Sequence, residues 1–146
     1  MTDQAGSELK GKVAIVTGAG RMRGIGRGTA TVLARMGAHV VVTGTGRDPA
    51  SYPQDEKDAG WRDIHSTAEQ IEAFGVRALP LVSNVADQED VQKMIDAAVS
   101  EFGRLDIIVN NAAAPYGDDR VSVMDMQADV FKSIVDVKLM GTFYAC

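Results

Sequence analysis

The chain has 146 residues, of which 45% are hydrophobic and 24% charged, and this composition predicts one globular domain with a buried core. Its net charge of -5 disfavours a nucleic acid or an anionic membrane as a partner, and its apolar stretches are too short to span a bilayer. The amino-terminal residues lack the apolar core of a signal peptide, and a single cysteine cannot form an internal disulfide, so we expect a cytoplasmic location.

The first half of the chain alternates between strand and helix patterns. Residues 1–11 are expected to form a flexible tail, and Lys12 to Thr17 form a β-branched run that predicts a buried strand. A helix is predicted from Gly24 to Gly37, and a second strand over residues 39–43. The helix prediction rests on apolar residues at helical spacing, namely Ile25, Val32, Leu33 and Met36.

The polar stretch from Gly44 to Asp63 is predicted to be a long surface loop, and its acidic cluster Asp55-Glu56-Asp58 is expected to be solvated. A helix over residues 64–74 and a strand over residues 76–82 follow. Pro80 lies inside that strand and cannot donate to a ladder, so this strand is expected at an edge of the sheet.

The second half continues the same alternation. Asp87 and Asp90 resemble a capping pair at the start of an amphipathic helix, residues 105–109 predict a fourth strand, and residues 125–146 a last helix. The sequence therefore predicts an α/β fold of the doubly wound Rossmann type, with a parallel sheet in the order 3-2-1-4 and helices on both faces.

The most informative motif is the segment from Thr17 to Gly26, TGAGRMRGIG, which follows a strand and opens a helix. Glycines in this position let the backbone approach a pyrophosphate closely, and the helix start offers free N–H groups to the phosphates. The alternative is a tight turn in which the glycines serve sterics alone. The strand-to-helix context favours dinucleotide binding.

This loop resembles the Thr-Gly-x-x-x-Gly-x-Gly loop of the short-chain dehydrogenase/reductase family, with two extra residues between Gly18 and Gly24. A second match is Asn110-Asn111-Ala112-Ala113, similar to the family's Asn-Asn-Ala-Gly, and the phrases at residues 102–106 and 139–143 are also similar. The resemblance covers the chain from Lys12 onward. It implies that residues 12–146 form a dinucleotide-binding domain that is incomplete at its carboxyl end.

The resemblance implies an oxidoreductase that interconverts an alcohol and a carbonyl by hydride transfer to or from NAD(P). The family's catalytic Tyr-x-x-x-Lys motif does not occur in these residues, so we assign no catalytic residue and expect no turnover from these residues alone. His39 and His65 have no second ligand at metal spacing, so no metal site is assigned either. Lys138 stands where the family usually has an asparagine, and an exposed helix cation is the preferred interpretation of it. A non-catalytic nucleotide-binding or interaction module is the alternative. The intact protein is expected to form homo-oligomers and to act on a small molecule.

NADP is expected to be preferred over NAD. No acid stands at Gly44, where a carboxylate would accept from the ribose 2′-hydroxyl, while Thr45, Arg47 and Arg23 could contact a 2′-phosphate. The alternative is that these arginines are solvated. Asn84 replaces an aspartate that contacts adenine in the family, and a simple loop residue is an equal alternative there. The cofactor residues predicted in all are Gly18, Arg23, Gly24, Ile25, Gly26, Thr45, Arg47, Asn84, Val85, Asn111, Ala112 and Ala113.

Overall fold

Four parallel strands form one sheet in the order β3-β2-β1-β4, as the sequence predicts. The computed structural model describes residues 6–114 and 117–146. Val16 of β1 is level with Val42 of β2 on one side and with Val109 of β4 on the other. The expected edge position of the strand with Pro80 is confirmed. The strands are β1 Val13–Val16, β2 His39–Gly44, β3 Ala78–Val82 and β4 Ile107–Val109.

Helices cover both faces of this sheet. The helices are α1 Ile25–Arg35, α2 Gln54–Asp58, α3 Ile64–Glu72, α4 Gln88–Phe102, α5 Ala128–Val135 and α6 Gly141–Ala145. One core layer joins α1 and α3 to Val40 and Val42, while the other joins α4 and α6 to Ile15 and Val41. Both faces of the two central strands are thus buried, as expected for a doubly wound parallel sheet.

Helix α1 packs through only part of the apolar set predicted for it, because Leu33 packs on the core whereas Ile25 and Val32 are exposed. Ile25 and Val32 are 80% and 52% exposed, whereas Gly26, Ala30 and Ala34 are buried. Small residues allow the helix backbone to lie close to the sheet, so the buried stripe consists of glycine and alanine rather than of the larger apolar residues. The helical spacing was correct, but of the predicted residues Ile25 and Val32 lie on the exposed side and Leu33 on the side of the core.

Three other expectations about the elements need correction. Residues 44–63 are not a continuous loop, because they contain the 3₁₀ turn Pro49–Ser51 and the short helix α2. The predicted last helix is divided by a π-helical turn, Asp136–Met140, between α5 and α6. Residues 1–5 of the expected flexible tail lie outside the described residues, and residues 6–11 differ from it, because Leu9 donates from its backbone N–H to Met36 O at 2.9 Å and packs on the core.

The start of α4 is capped by Asp87, whose side chain accepts from the backbone N–H groups of Glu89 and Asp90. Asp90 itself accepts from the backbone N–H of Asn84 rather than completing a reciprocal pair with Asp87. This contact fixes the turn that leads from β3 into α4. Within residues 6–114 and 117–146, no helix is both long and apolar enough to cross a membrane.

His39 makes the stability of the fold depend on pH. Its Nδ1 accepts from the backbone N–H of Arg77 at 3.0 Å, and burial, together with the charge of Arg77, lowers the pKa of the imidazole. A lowered pKa in the folded state means that protonation favours unfolding. The stabilisation by His39 is therefore complete above the unfolded pKa of about 6.5 and decreases as the pH falls below it.

We expect the free energy of unfolding to fall as the pH is lowered below about 6.5, and to fall less steeply in His39→Asn. Denaturant titrations at several pH values measure this. The matched control is His65→Asn, because His65 is exposed on α3. A parallel pH dependence in the wild type and in His39→Asn would contradict the role of His39.

Candidate functional site

The glycine loop between β1 and α1 lies in direct backbone contact with the segment that follows β4. Gly18 has a φ of +67°, and a Cβ at this position would lie 2.8 Å from Ala112 Cα. A Cβ at Gly26 would lie 2.5 Å from Asn111 Nδ2 and 2.7 Å from Gly18 O. Both positions therefore require glycine, the first for its conformation as well as for the close approach.

Asn111 and Thr17 hold these two segments together. The side-chain amide of Asn111 donates to Thr17 O at 2.9 Å and to Gly18 O at 3.0 Å. In return, Thr17 Oγ1 accepts from the backbone N–H groups of Asn111 at 3.1 Å and Ala112 at 3.0 Å. The structure thus brings the predicted residues Gly18, Asn111 and Ala112 together, and the carbonyls at the turn are satisfied from within the protein.

The start of α1 is open for an anion. Gly24 is its N-cap residue and supplies no side-chain hydrogen bond, and no acidic residue lies in the first turn. Helix amino termini with uncapped N–H groups and a positive dipole end bind phosphates. Nearby at the carboxyl ends of β2 and β3, the hydroxyls of Thr43 and Ser83 are buried and have no hydrogen-bond partner within the described part of the chain. This combination fits a dinucleotide with a pyrophosphate.

Residues 44–63 lie against the glycine loop and contact it between Gly18 and Gly24, where it is longer than the family pattern. Glu56 Oε1 accepts from the backbone N–H of Met22 at 2.9 Å, and Trp61 Nε1 donates to Gly20 O at 2.6 Å. Arg23 forms an ion pair with Asp55 at 2.9 Å. The glycine loop and the segment after β2 therefore support each other.

Arg47 is not available as a free phosphate ligand. Its guanidinium pairs with Glu56 Oε2 at 3.0 Å and Asp63 Oδ2 at 3.3 Å, and lies 4.6 Å from the ring centre of Tyr52. Burial alone would lower the pKa of Arg47, but the two carboxylates outweigh it and raise the pKa, so the side chain stays charged. The expectation that the acidic residues of this segment are solvated is wrong for Glu56, which is 3% exposed.

Asp63 has an unusual backbone and a central position. Its φ of +53° is the only positive value for a non-glycine residue among the residues described, and such conformations cost about 1–3 kcal/mol and cluster at functional sites. A Cβ at Gly20 would lie 1.4 Å from Asp63 Oδ1, and a Cβ at Gly44 would lie 3.7 Å from the same oxygen. The carboxylate thus lies directly over the glycine loop at the end of β2.

The other residues predicted to bind the cofactor lie outside the contacts described for Arg47 and Asp63, and Arg23 forms its ion pair with Asp55. Arg23 and Thr45 are exposed, as is Ala113. Asn84 is also exposed, and its Oδ1 accepts from the backbone N–H of Ala86 at 3.1 Å, which is the contact of an ordinary loop residue. Val85 is buried in the core layer of α4 and α6.

Lys138 is exposed in the π-helical turn between α5 and α6, which agrees with its interpretation as an exposed helix cation. Three residues that line the loop were not predicted to do so: Glu56, Trp61 and Asp63. Gly20 could have pointed to Asp63 and Trp61, because a glycine outside the family pattern indicates that another group lies close to the backbone. No such signal marks Glu56, which contacts Met22.

Comparison with known proteins agrees with this geometry. The sequence profile of short chain dehydrogenases matches residues 12–146. The chain is 39% identical to the short chain dehydrogenase/reductase astE of Aspergillus oryzae, over 93% of this chain and 46% of that protein. It is 38% identical to L-rhamnose 1-dehydrogenase (NAD(P)(+)) of Azotobacter vinelandii, over 91% of this chain and 46% of that protein.

Among solved structures, carveol dehydrogenase from Mycobacterium avium in complex with NAD superposes with a TM-score of 0.78 at 28% identity, over 95% of this chain and 48% of that one. The chain spans about half the length of the curated relatives it matches. The glycine loop, the Asn111 segment and the strand order thus occur in a chain whose sequence matches short chain dehydrogenases over residues 12–146. The chain belongs to the short-chain dehydrogenase family.

Proposed function

We propose that this chain binds a nicotinamide dinucleotide on its glycine loop, and that the whole protein is an oxidoreductase that interconverts an alcohol and a carbonyl by hydride transfer. The observation that carries the proposal is the backbone contact of Gly18 and Gly26 with the Asn111 segment, next to an uncapped helix start. The names of two relatives support it, since one is an NAD(P)-dependent dehydrogenase and the other was solved with NAD.

In this proposal each part of the loop has a distinct task. The uncapped N–H groups at the start of α1 bind the pyrophosphate, with the glycines allowing it to approach. Asn111 and Thr17 hold the loop in place and leave those N–H groups free. The bound nicotinamide supplies the hydride chemistry, while these residues bind and orient it.

The choice between NAD and NADP changes when the structure is considered. The sequence favours NADP because Gly44 is not acidic and Arg23 and Arg47 lie nearby. That preference loses support at Arg47, which is held by Glu56 and Asp63, whereas Arg23 is largely exposed and makes a surface ion pair with Asp55. The arginines that were expected to bind a 2′-phosphate are each paired with a carboxylate.

Self-association and location belong to the same proposal. Phe131, Leu139 and Phe143 on the α5–α6 segment are 59%, 64% and 70% exposed. Several exposed apolar side chains on one segment indicate that this surface is covered in the whole protein. We propose that a second copy of the chain covers it. The single cysteine supports a reducing cytoplasmic location.

The fluorescence of Trp61 provides a direct test, because it is the single tryptophan of the chain and its indole N–H contacts Gly20 in the loop. We expect NADH to quench this fluorescence saturably in the purified full chain, with a free tryptophan derivative as the correction for absorbed light. Hydride transfer is then measured in the whole protein as the rise in NADH absorbance with NAD and a panel of secondary alcohols. Absence of saturable quenching would contradict cofactor binding, and binding without turnover in the whole protein would favour a non-catalytic module.

A further inference from the structure

The carboxylate of Asp63 lies close to the end of β2, the part of the fold where Rossmann proteins carry a ribose-binding acid. In such proteins an acid at the end of the second strand accepts from the adenine-ribose 2′-hydroxyl and repels a 2′-phosphate. Here the end of β2 is Gly44, but Asp63 Oδ1 lies over the Cα of Gly20 and 3.7 Å from a Cβ at Gly44. A residue at the start of α3 thus brings a carboxylate to the place that the β2 residue leaves empty.

We propose that Asp63 binds the adenine-ribose 2′-hydroxyl and excludes a 2′-phosphate, so that the protein selects NAD over NADP. This inference rests on the proposed function, and it replaces the preference expected from the sequence.

The hydrogen bonds of Asp63 leave acceptor positions on its carboxylate unused. Arg47 is its side-chain partner, with Nε 3.3 Å from Oδ2 and Nη2 3.4 Å from Oδ1. An ionised carboxylate has about four acceptor positions, so the two oxygens can accept further bonds. The carboxylate is 9% exposed, and the close approach to Gly20 puts it beside the loop that receives the dinucleotide.

The charges of Arg47, Glu56 and Asp63, which form one cluster, also favour NAD over NADP. Arg47 brings one positive charge, and Glu56 and Asp63 bring two negative ones, all within one set of contacts. A 2′-phosphate would add negative charge to a cluster that is already net negative, and like charges placed together in a partly buried site oppose binding. A ribose hydroxyl donates instead, which a carboxylate accepts well.

The backbone conformation of Asp63 also supports a role in ligand binding. Its φ of +53° is unfavourable for a residue with a Cβ, and Gly20 has no side chain at the point where the carboxylate lies. Outliers of this kind persist where the surrounding structure holds them, often at ligand sites. A role limited to holding Arg47 is the alternative, and the experiment below separates the two.

The experiment measures dissociation constants for NAD and NADP by calorimetry with the purified full chain. We expect NAD to bind at least about tenfold more tightly than NADP, and Asp63→Asn to reduce that ratio by about tenfold or more. The matched control is Asp58→Asn, which removes the same charge from an exposed position on α2 whose partner is Gln54, and which we expect to leave the ratio unchanged.

A second arm uses NAD that lacks the adenosine 2′-hydroxyl. If Asp63 binds this hydroxyl, its removal weakens binding about tenfold or more in the wild type and much less in Asp63→Asn. An equal loss in both proteins would mean that Asp63 only holds Arg47, and would overturn the inference. If Asp63→Asn does not fold, the wild-type preference and the wild-type loss with the deoxy compound decide the matter.

The outcomes separate the inference from the proposed function. Wild-type binding of NADP as tight as or tighter than NAD would overturn the role of Asp63 while leaving dinucleotide binding intact. Absence of binding by either dinucleotide would overturn both. Tighter NAD binding that depends on both Asp63 and the 2′-hydroxyl supports the inference.

Discussion

Gly18→Ala is expected to lower the free energy of unfolding by about 2–5 kcal/mol, the sum of a left-handed backbone penalty and of overpacking. Gly18 has a φ of +67°, and the new Cβ would lie 2.8 Å from Ala112 Cα and 3.2 Å from Ala112 N. These are backbone atoms that no side-chain rotation can move away. The loop must therefore separate from the segment after β4, and dinucleotide binding should be lost as well. Chemical denaturation and the Trp61 quenching titration measure the two effects.

The matched control for this variant is Gly28→Ala in α1. No atom lies within 4 Å of a Cβ at Gly28, and its φ is not positive. Alanine in a helix interior is more stable than glycine by about 0.5–1 kcal/mol, so this variant should be slightly stabilised and should bind the cofactor normally. The prediction fails if the two alanine variants are equally stable.

Asn111→Ala is expected to cost about 1–3 kcal/mol, because the buried acceptors at the turn lose their donor. The amide of Asn111 donates to both Thr17 O and Gly18 O, so a single truncation removes two bonds. We also expect a clear loss of NADH affinity, since the loop is then held by the Thr17 hydroxyl and backbone contacts alone. Denaturant unfolding and the fluorescence titration again provide the measurements.

Asn110→Ala is the control for Asn111, since it removes the same side chain one residue earlier. Asn110 is exposed, and its side-chain contact is a weak one with Cys146 Sγ at 3.9 Å. We expect little change in stability or in NADH binding. A larger effect at Asn110 than at Asn111 would mean that the hydrogen bonds of Asn111 are not what holds the loop.

The fold could be predicted because the strand and helix periods are strong and because the glycine loop marks the first crossover. Pro80 correctly indicated the edge strand, since its missing N–H restricts where it can pair. The buried face of α1 could not be found by searching for large apolar residues. Ala30 and Ala34 pack against the sheet because the helix lies close to it, and this distance is a tertiary property.

The site was only partly predictable for a related reason. Asn111 and the loop glycines carry a local pattern, and the structure brings them together. Glu56 and Asp63 lie in a polar stretch whose composition resembles that of any solvated loop. Their importance comes from Arg47, Met22 and Gly20, which approach them from other parts of the chain.

The central claim is that the glycine loop, held by Asn111 on one side and by residues 44–63 on the other, receives a dinucleotide pyrophosphate. Backbone amide NMR of the labelled chain during titration with NAD tests it most directly. We expect the largest shift changes at the N–H groups of Ile25 and Gly26, at the start of α1, with smaller changes at Asp63. Saturable binding whose shift changes lie elsewhere, with these amides unaffected, would contradict the account.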